Sequence, residues 1–381
     1  MSSLSERIKE RARELGFSVA GITPAEPSPR LQAYLDWVKA GMHGAMGYMA
    51  REDRIARRKD LSVILPGARS MIVVGLDYFT LVLPDEIAQD PARGRFSNYA
   101  WGIDYHDLIL ERLEALAAFV EAEAGEGTAT RAYVDTGAIL ERSHAERAGL
   151  GFVGKNTLLI NPRRGSFFFL GEIITDAALE YDEPNLDEMP GCGSCTRCLA
   201  ACPTDAFPRP HVLDARHCIS YLTIEHKGFI PHDLRPLMGN WVYGCDVCQE
   251  VCPWQRFAQP TPFQEAFSPV NLDYAAPPLA DLLALTDETF AERYRGTPIY
   301  RIKRPRLVRN ACIAAGNSRL PWLADHLVPL LSDESPLVRG HAAWALGRLG
   351  RHTDALAAAL RRETDAEVRA EMAAALTPAE S

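Results

Sequence analysis

Eight of the nine cysteines in this 381-residue chain lie between Cys192 and Cys252. Cys192, Cys195, Cys198 and Cys202, followed by Pro203, form a C-x2-C-x2-C-x3-C-P run, the pattern with which two-cluster iron–sulfur proteins hold [4Fe–4S] cubanes. Cys245, Cys248, Cys252 and Pro253 close the window, and Cys218 stands between the runs. In that arrangement the last cysteine of each run crosses to the other cluster, because a tight loop presents three thiolates to one cubane while the proline turn sends the fourth away. The expected ligand sets are Cys192, Cys195, Cys198 and Cys252 for one cluster, and Cys202, Cys218, Cys245 and Cys248 for the other. Val242 stands where the second run would have its first cysteine, and Cys218 completes the set. Structural zinc prefers two ligand pairs across a longer spacer and fits poorly. Disulfides fit less well in a chain whose first residues, Met1 to Phe17, read as a charged helix and not as a secretory signal. Cys312, alone in helical sequence, reads as a small buried apolar residue. The chemistry to expect is electron transfer.

Other residues could do chemistry or merely hold structure. Asp135 follows the strand-like Arg131 to Val134 and precedes a helical run, Ile139 to Ala148. An N-cap aspartate belongs there, and so does a carboxylate pointing into a crevice, where partial desolvation would let it hold a proton. His106, in Asp104-Tyr105-His106, has the same duality at a helix start. Gly149-Leu150-Gly151-Phe152-Val153-Gly154 satisfies G-x-G-x-x-G, and with Lys155 nearly satisfies a P-loop, except that Asn156 stands where Ser or Thr is required. A phosphate loop needs a strand before it and a helix after it. Here the order is reversed, so a glycine-rich helix C-terminus, with backbone exposed for close approach by some other ligand, is the better reading.

The elements that must position these residues fall into three stretches. Residues 1–178 alternate short apolar runs (Met71 to Leu76, Arg131 to Val134, Phe167 to Ile174) with helical patterns, the clearest being His106 to Ala122 with Leu108, Leu110, Leu113, Leu116 and Phe119. That reads as an α/β domain. The acidic, proline-bearing Tyr181 to Pro190 makes a linker, and residues 179–265 form a small ferredoxin-like domain folded around its clusters. In residues 266–381, Val308-Arg309, Val338-Arg339 and Val368-Arg369 recur every thirty residues, each followed by small apolar helical sequence. That self-similarity means stacked helical pairs, a short variant of HEAT repeats, whose period is usually about 40–47 residues. With 47% hydrophobic and 24% charged residues the composition is that of an ordinary soluble protein. No apolar stretch approaches the ~18 residues that span a bilayer, so no membrane partner is expected and the cytoplasm is the expected location. The net charge of −9 argues against a surface generally coated by nucleic acid, leaving two local basic runs, Arg51 to Asp60 and Ile299 to Arg309.

Tyr133-Val134-Asp135-Thr136-Gly137, then Glu141-Arg142-Ser143-His144-Ala145-Glu146-Arg147-Ala148-Gly149-Leu150-Gly151 through Gly154-Lys155-Asn156-Thr157, resembles the epoxyqueuosine reductase family. The resemblance extends through the ferredoxin run to Cys202-Pro203-Thr204, the segment Cys218 to Glu225, Gly244-Cys245-Asp246-Val247-Cys248, Cys252-Pro253-Trp254, Gly296-Thr297-Pro298 and the repeats. Departures are small: Ala138 stands where the family often has proline, and Gln255 where asparagine is common. The resemblance implies an α/β cobalamin-binding domain, two [4Fe–4S] clusters and helical repeats that bind tRNA carrying epoxyqueuosine at the wobble position. It further implies a two-electron, two-proton removal of the epoxide oxygen with Asp135 as proton donor, kept protonated by burial beside the corrin. Arg57, Asn98, His106, Asp135, Lys155, Asn156 and Ser220 are the implied cobalamin contacts, and Arg301, Lys303, Arg304, Arg306 and Arg309 the tRNA contacts. Asp104-Tyr105-His106 begins like the D-x-H-x-x-G motif that gives a histidine to cobalt, but Ile109 occupies the glycine position, so base-off cobalamin is expected. A monomer fed by an external donor of flavodoxin or ferredoxin type completes the expectation. Two alternatives stay open. Another corrinoid iron–sulfur enzyme, such as a reductive dehalogenase, would share the cofactor domain but take a small substrate. A non-catalytic ferredoxin-like carrier would bind no cobalamin.

Overall fold

The computed structural model describes residues 2–184 and 189–377; residues 185–188 of the expected linker lie outside them. By packing, the chain divides into two compact units, each assembled from three stretches. The first holds Met1–Thr80, Asp104–Ala215 and Val247–Phe267, and the second Leu81–Ile103, Arg216–Asp246 and Ser268–Ser381. This differs from the three consecutive segments read from the sequence. The cysteine window is divided between the two units, and the reason lies in the second unit, where the segment after Ala215 is bound by the repeat helices.

In the first unit a four-stranded sheet is built from β1 (Val19–Pro24), β2 (Ser70–Asp77), β3 (Thr130–Tyr133) and β6 (Phe168–Thr175), in the order β1-β2-β6-β3. Helices and strands alternate along the chain as expected, yet every pairing in this sheet is antiparallel. All of β2 is buried, as is β6 apart from Leu170, which matches their near-continuous apolar sequences. On one face lies α3 (Tyr105–Ala124), capped by Asp104 and stopped at Gly125. Its buried face is Ile109, Leu113, Leu116, Ala117 and Val120. Leu110, expected inside, is exposed, because the 3.6-residue period centres the apolar stripe on Ile109 and Leu113. The opposite face of the sheet packs on α4 (Glu141–Arg147) and on a core that includes Leu61, Val73, Ile139, Ala145, Leu150 and Ile174. The unit also carries α1 (Leu4–Glu14), closed by a Ser3/Glu6 capping box, and the basic α2 (Glu52–Lys59).

After α4 the chain makes a helix-ending turn. The Leu150 N–H donates to the Ala145 carbonyl at 2.9 Å and the Gly149 N–H to the Glu146 carbonyl at 3.0 Å, a Schellman arrangement with Gly149 at φ +78°. A hairpin of β4 (Phe152–Val153) and β5 (Leu159–Ile160) follows. Helix before and strand after is the reverse of a phosphate loop, which disposes of both glycine signatures. The expected close approach at these glycines is made by the chain itself: a side chain at Gly151 would run into the Ile160 carbonyl.

In the second unit α6 (Lys303–Ser318), α7 (Pro336–Leu349) and α9 (Ala366–Leu376) stack in sequence, with α8 (Thr353–Arg362) and short turns as their outer partners. Val308, Val338 and Val368 are all fully buried at equivalent places, which is what the thirty-residue period encodes. Cys312 is buried in α6 and its thiol is pushed up by burial. A helix α5 (Ile219–Ile224) follows Cys218, and Arg95–Phe96 pairs with Trp241–Tyr243. Among the described residues no helix is long and apolar enough to cross a membrane.

Candidate active site and thiolate cavity

The short helix Arg197–Ala201 and the turns at Cys192–Cys195 and Cys252–Trp254 bring four sulfurs of the first unit around one cavity. Its lining is Cys192, Cys195, Cys198 and Cys252 with Ile160, Asn156, Arg197, Pro253 and Trp254. Burial raises the Cys198 thiol, and the charges of Cys192 and Cys252 raise it further; Cys252 is raised by burial and then by Cys192 and Cys195. Thiolates this close repel one another until iron takes up their charge. Among the described residues no three His, Cys, Asp or Glu side chains converge as a single ion demands. Sulfurs spread around an apolar cavity suit a cubane.

Lys155 and Asn156 hold this cavity's walls. The Lys155 ammonium donates to the carbonyls of Gly193 at 2.7 Å and Cys195 at 3.0 Å, its backbone N–H donates to Cys192 Sγ at 3.4 Å, and Asn156 Nδ2 donates to the Cys248 carbonyl at 3.2 Å. Both are expected corrin contacts, and their polar groups reach the cysteine loops. The Ala206 N–H donates to Cys202 Sγ at 3.3 Å. Such N–H···S bonds stabilise the thiolate and raise a cluster's potential.

Asp135 sits elsewhere in the unit, two residues beyond β3. Its φ of +57° is left-handed, a region that aspartate enters more readily than most residues. The N-cap reading fails, since α4 begins at Glu141 with Leu140 in the cap position and no side-chain cap bond. The Tyr105 hydroxyl donates to Asp135 Oδ2 at 2.9 Å, and the Tyr105 ring stacks on Phe169 with centroids 4.1 Å apart. His106 Nδ1 meets Asp104 Oδ1 at 2.9 Å, and its Nε2 is 3.8 Å from Asp135 Oδ2. The Asp135 side chain is 61% exposed. Two carboxyls of the same unit have raised values. Glu141 is pushed up to about 8 by burial and then by the charge of Asp135, and Glu172 is raised well above its usual range by burial and then by Glu141 and Asp135. Neither was singled out in the sequence. The available signal was a glutamate inside the otherwise apolar run Phe167 to Ile174.

Of the remaining expected contacts, Arg57 is exposed in the last turn of α2. In the second unit, Ser220 is half-buried in the first turn of α5. Asn98 is buried there, its N–H donating to Asp246 at 2.7 Å, while its Oδ1 has no hydrogen-bond partner among the described residues.

The basic run Arg301 to Arg309 needs correction. Arg309 is fully buried, donating to the carbonyls of Leu222, His226 and Gly228 at 2.7–2.9 Å. Arg306 donates to the carbonyls of Ile224 and Ile302, and Arg304 to Asp333 and the Leu285 carbonyl. A repeat helix turns these three inward, where they bind the segment after Cys218 and the neighbouring turns. Arg301 and Lys303 are exposed.

A cavity lined by four cysteines in the unit that carries the antiparallel sheet, with helical repeats in the same chain, points to an iron–sulfur protein, and comparison with known proteins shows a two-cluster oxidoreductase. Residues 191–255 match the 4Fe-4S double cluster binding domain, 303–377 match HEAT repeats, and 58–136 match the model described as epoxyqueuosine reductase QueG, DUF1730. The chain is 44% identical to epoxyqueuosine reductase of Pseudomonas aeruginosa over 91% of this chain and 95% of that one, and 42% identical to that of Escherichia coli K12 over 91% and 90%. Crystal structures of an epoxyqueuosine reductase, one with an epoxyqueuosine-modified tRNA-Tyr stem loop, superimpose with TM-scores of 0.88 and 0.87 at 33% identity and 98% coverage of both chains. Another, from Bacillus subtilis, has its catalytic aspartate loop swung out of the active site, with a TM-score of 0.88 at 32% identity and the same coverage. This chain belongs to the epoxyqueuosine reductase family.

Proposed function

We propose that this protein reduces epoxyqueuosine in the tRNA anticodon loop to queuosine, with Asp135 as general acid. The observation that carries the reading is the Asp135 turn: an exposed carboxylate in a left-handed conformation, fixed by the Tyr105 hydroxyl and facing His106, in a chain of this family. The reaction replaces two C–O bonds by a C=C bond and releases water, consuming two electrons and two protons. Cubanes pass electrons singly, and cobalamin, when bound, supplies a centre able to collect two and act as a nucleophile. The chain's own residues do the rest. Asp135 protonates the oxygen as the ring opens, and Tyr105 holds its rotamer.

Two features fit a base-off corrinoid. Both His106 ring nitrogens face carboxylates, so His106 is not offered to cobalt, and the unpartnered Asn98 Oδ1 can accept from an amide of the corrin periphery. With Arg57, His106, Asp135, Lys155, Asn156 and Ser220, Asn98 makes the contact set we assign. Cys192, Cys195, Cys198 and Cys252 hold one cluster; the other, with Cys202, Cys218, Cys245 and Cys248, rests on the spacing. Arg301 and Lys303 are the tRNA phosphate contacts of the basic run. The protein acts as a cytoplasmic monomer supplied by a flavodoxin- or ferredoxin-type donor, and residues 1–178, 179–265 and 266–381 serve as cofactor, cluster and tRNA modules.

The test is an anaerobic assay with reconstituted clusters, cobalamin and an epoxyqueuosine-bearing stem loop. A product nucleoside lacking one oxygen by mass is expected; unchanged epoxyqueuosine with both clusters reduced and corrinoid bound would overturn the reading.

A further inference from the structure

We propose that Thr223 and Asn310 are positioning residues for the second cluster, fixing Cys218 and Cys245 relative to one another, an inference that rests on the assignment of those two cysteines to that cluster. The repeats thereby serve electron transfer as well as tRNA.

Both cysteines lie in the second unit. Cys218 stands in the cap position of α5, and its carbonyl accepts from the Leu222 N–H at 2.9 Å. Cys245 follows Gly244, which has a φ of +69° and lies so close to Ser97 that an added Cβ would meet the Ser97 Cβ at 2.5 Å; only glycine suits that turn. One side chain joins the two places. Thr223, fully buried in the last turn of α5, donates its hydroxyl to the Ile219 carbonyl at 2.8 Å, and the same oxygen accepts from the Gly244 N–H at 3.0 Å. A helical threonine ordinarily bonds back to its own helix and no further. Here the hydroxyl ties the residue after Cys218 to the residue before Cys245.

Asn310, fully buried in α6, grips the same two stretches of chain: its Nδ2 donates to the Thr223 and Val242 carbonyls, both at 2.9 Å. Its Oδ1 accepts from Arg309 Nε at 3.0 Å and from Nη2 at 2.9 Å, which fixes the orientation of the amide. On the other flank of Cys245, the Asp246 carboxylate accepts from the Ser97 hydroxyl and from the Asn98 N–H at 2.7 Å. Removing the Thr223 hydroxyl or the Asn310 amide leaves buried partners unpaired. A cubane takes its thiolates only at set places, and the hydrogen bonds behind a ligand tune the metal. Asn317 supplies the comparison: on the same helix it donates to the Arg235 and Gly239 carbonyls at 2.8 and 3.0 Å, and neither residue adjoins a cysteine.

The experiment reconstitutes full-length T223V, T223S, N310A and N317A with iron and sulfide and reads iron content, electron paramagnetic resonance, cluster potentials and iron loss to a chelator. T223V keeps the shape and loses the hydroxyl. It should release iron from the second cluster about ten-fold faster and alter that cluster's resonance and potential, with the first cluster's signals unchanged, while T223S should match wild type. N310A should retain about half of the wild-type iron, and N317A should match wild type in iron and resonance even where its Tm falls. A T223V protein with an unaltered second cluster, or an N317A protein that perturbs that cluster as much, would overturn the proposal. A wild type that binds one cluster only sinks the ligand assignment and the inference with it, whereas either of those variant results in a two-cluster wild type sinks the inference alone.

Discussion

The first unit contains two polar regions that solve opposite problems. Around the thiolate cavity the donors are engaged: Lys155 and Asn156 fix three carbonyls of two cysteine loops, and the Lys155 amide points at the Cys192 sulfur. At Glu172 the reverse holds: among the described residues neither carboxyl oxygen has a hydrogen-bond partner, and both lie in an apolar core. The first region spends its hydrogen bonds on geometry and takes its reactivity from the iron it holds. The second has no geometry to keep and takes its reactivity from desolvation, which fixes a protonation state without any ligand.

The largest effect should come from the cavity. Cys198→Ser should cost one cluster, about half of the bound iron, and all turnover, measured by iron and sulfide analysis beside the stem-loop assay. Retention of both clusters would mean that Cys198 is not a ligand. Next comes Arg309, whose removal leaves three carbonyls unpaired. Arg309→Ala should cost about 3 kcal/mol of stability and leave the salt dependence of tRNA binding unchanged. Replacing Arg301 and Lys303 by Ala should do the reverse, flattening the slope of log Kd against log salt by about 1.5 with little change in Tm. Interchanged results would restore Arg309 to the surface.

Lys155→Met should keep both clusters yet shift the potential of the first to a more negative value, read by potentiometric titration followed by electron paramagnetic resonance. An unchanged potential would reduce Lys155 to a loop clamp. The smallest effect concerns stability alone. Glu172 has a folded-state pKa raised above its unfolded value, so its contribution is present below about pH 4.5 and is lost as pH rises toward the folded value. Glu172→Leu should therefore raise Tm at pH 8 relative to wild type, with the difference shrinking toward pH 5.

These two regions also differ in how far they can be read from residue order. Cubane ligation is local, so Cys192 to Cys202 announce themselves by spacing, and the repeat helices do so through Val308, Val338 and Val368. Glu172 and Glu141 come within electrostatic range of Asp135 only because β6, α4 and the turn after β3 converge, and nothing in their spacing encodes that. Glu141-Arg142 looks like an ordinary charged helix surface. Arg309 misleads for a related reason: a run of cations resembles a solvated face until the repeat places it one residue after a core valine. The Schellman turn at Gly149 was legible because helix, glycine and strand follow one another directly, whereas the division of the cysteine window between two packing units depends on buried hydrogen bonds from Arg309 and Asn310 that bind α5.

The central claim is that Asp135 delivers the proton that opens the epoxide. The most direct measurement is a single-turnover reaction of Asp135→Asn under anaerobic conditions, with both clusters reduced and cobalamin bound, following loss of oxygen from the stem-loop nucleoside by mass. The account predicts a rate at least 10²-fold below wild type with cluster and corrinoid spectra unchanged. Conversion at the wild-type rate would contradict it.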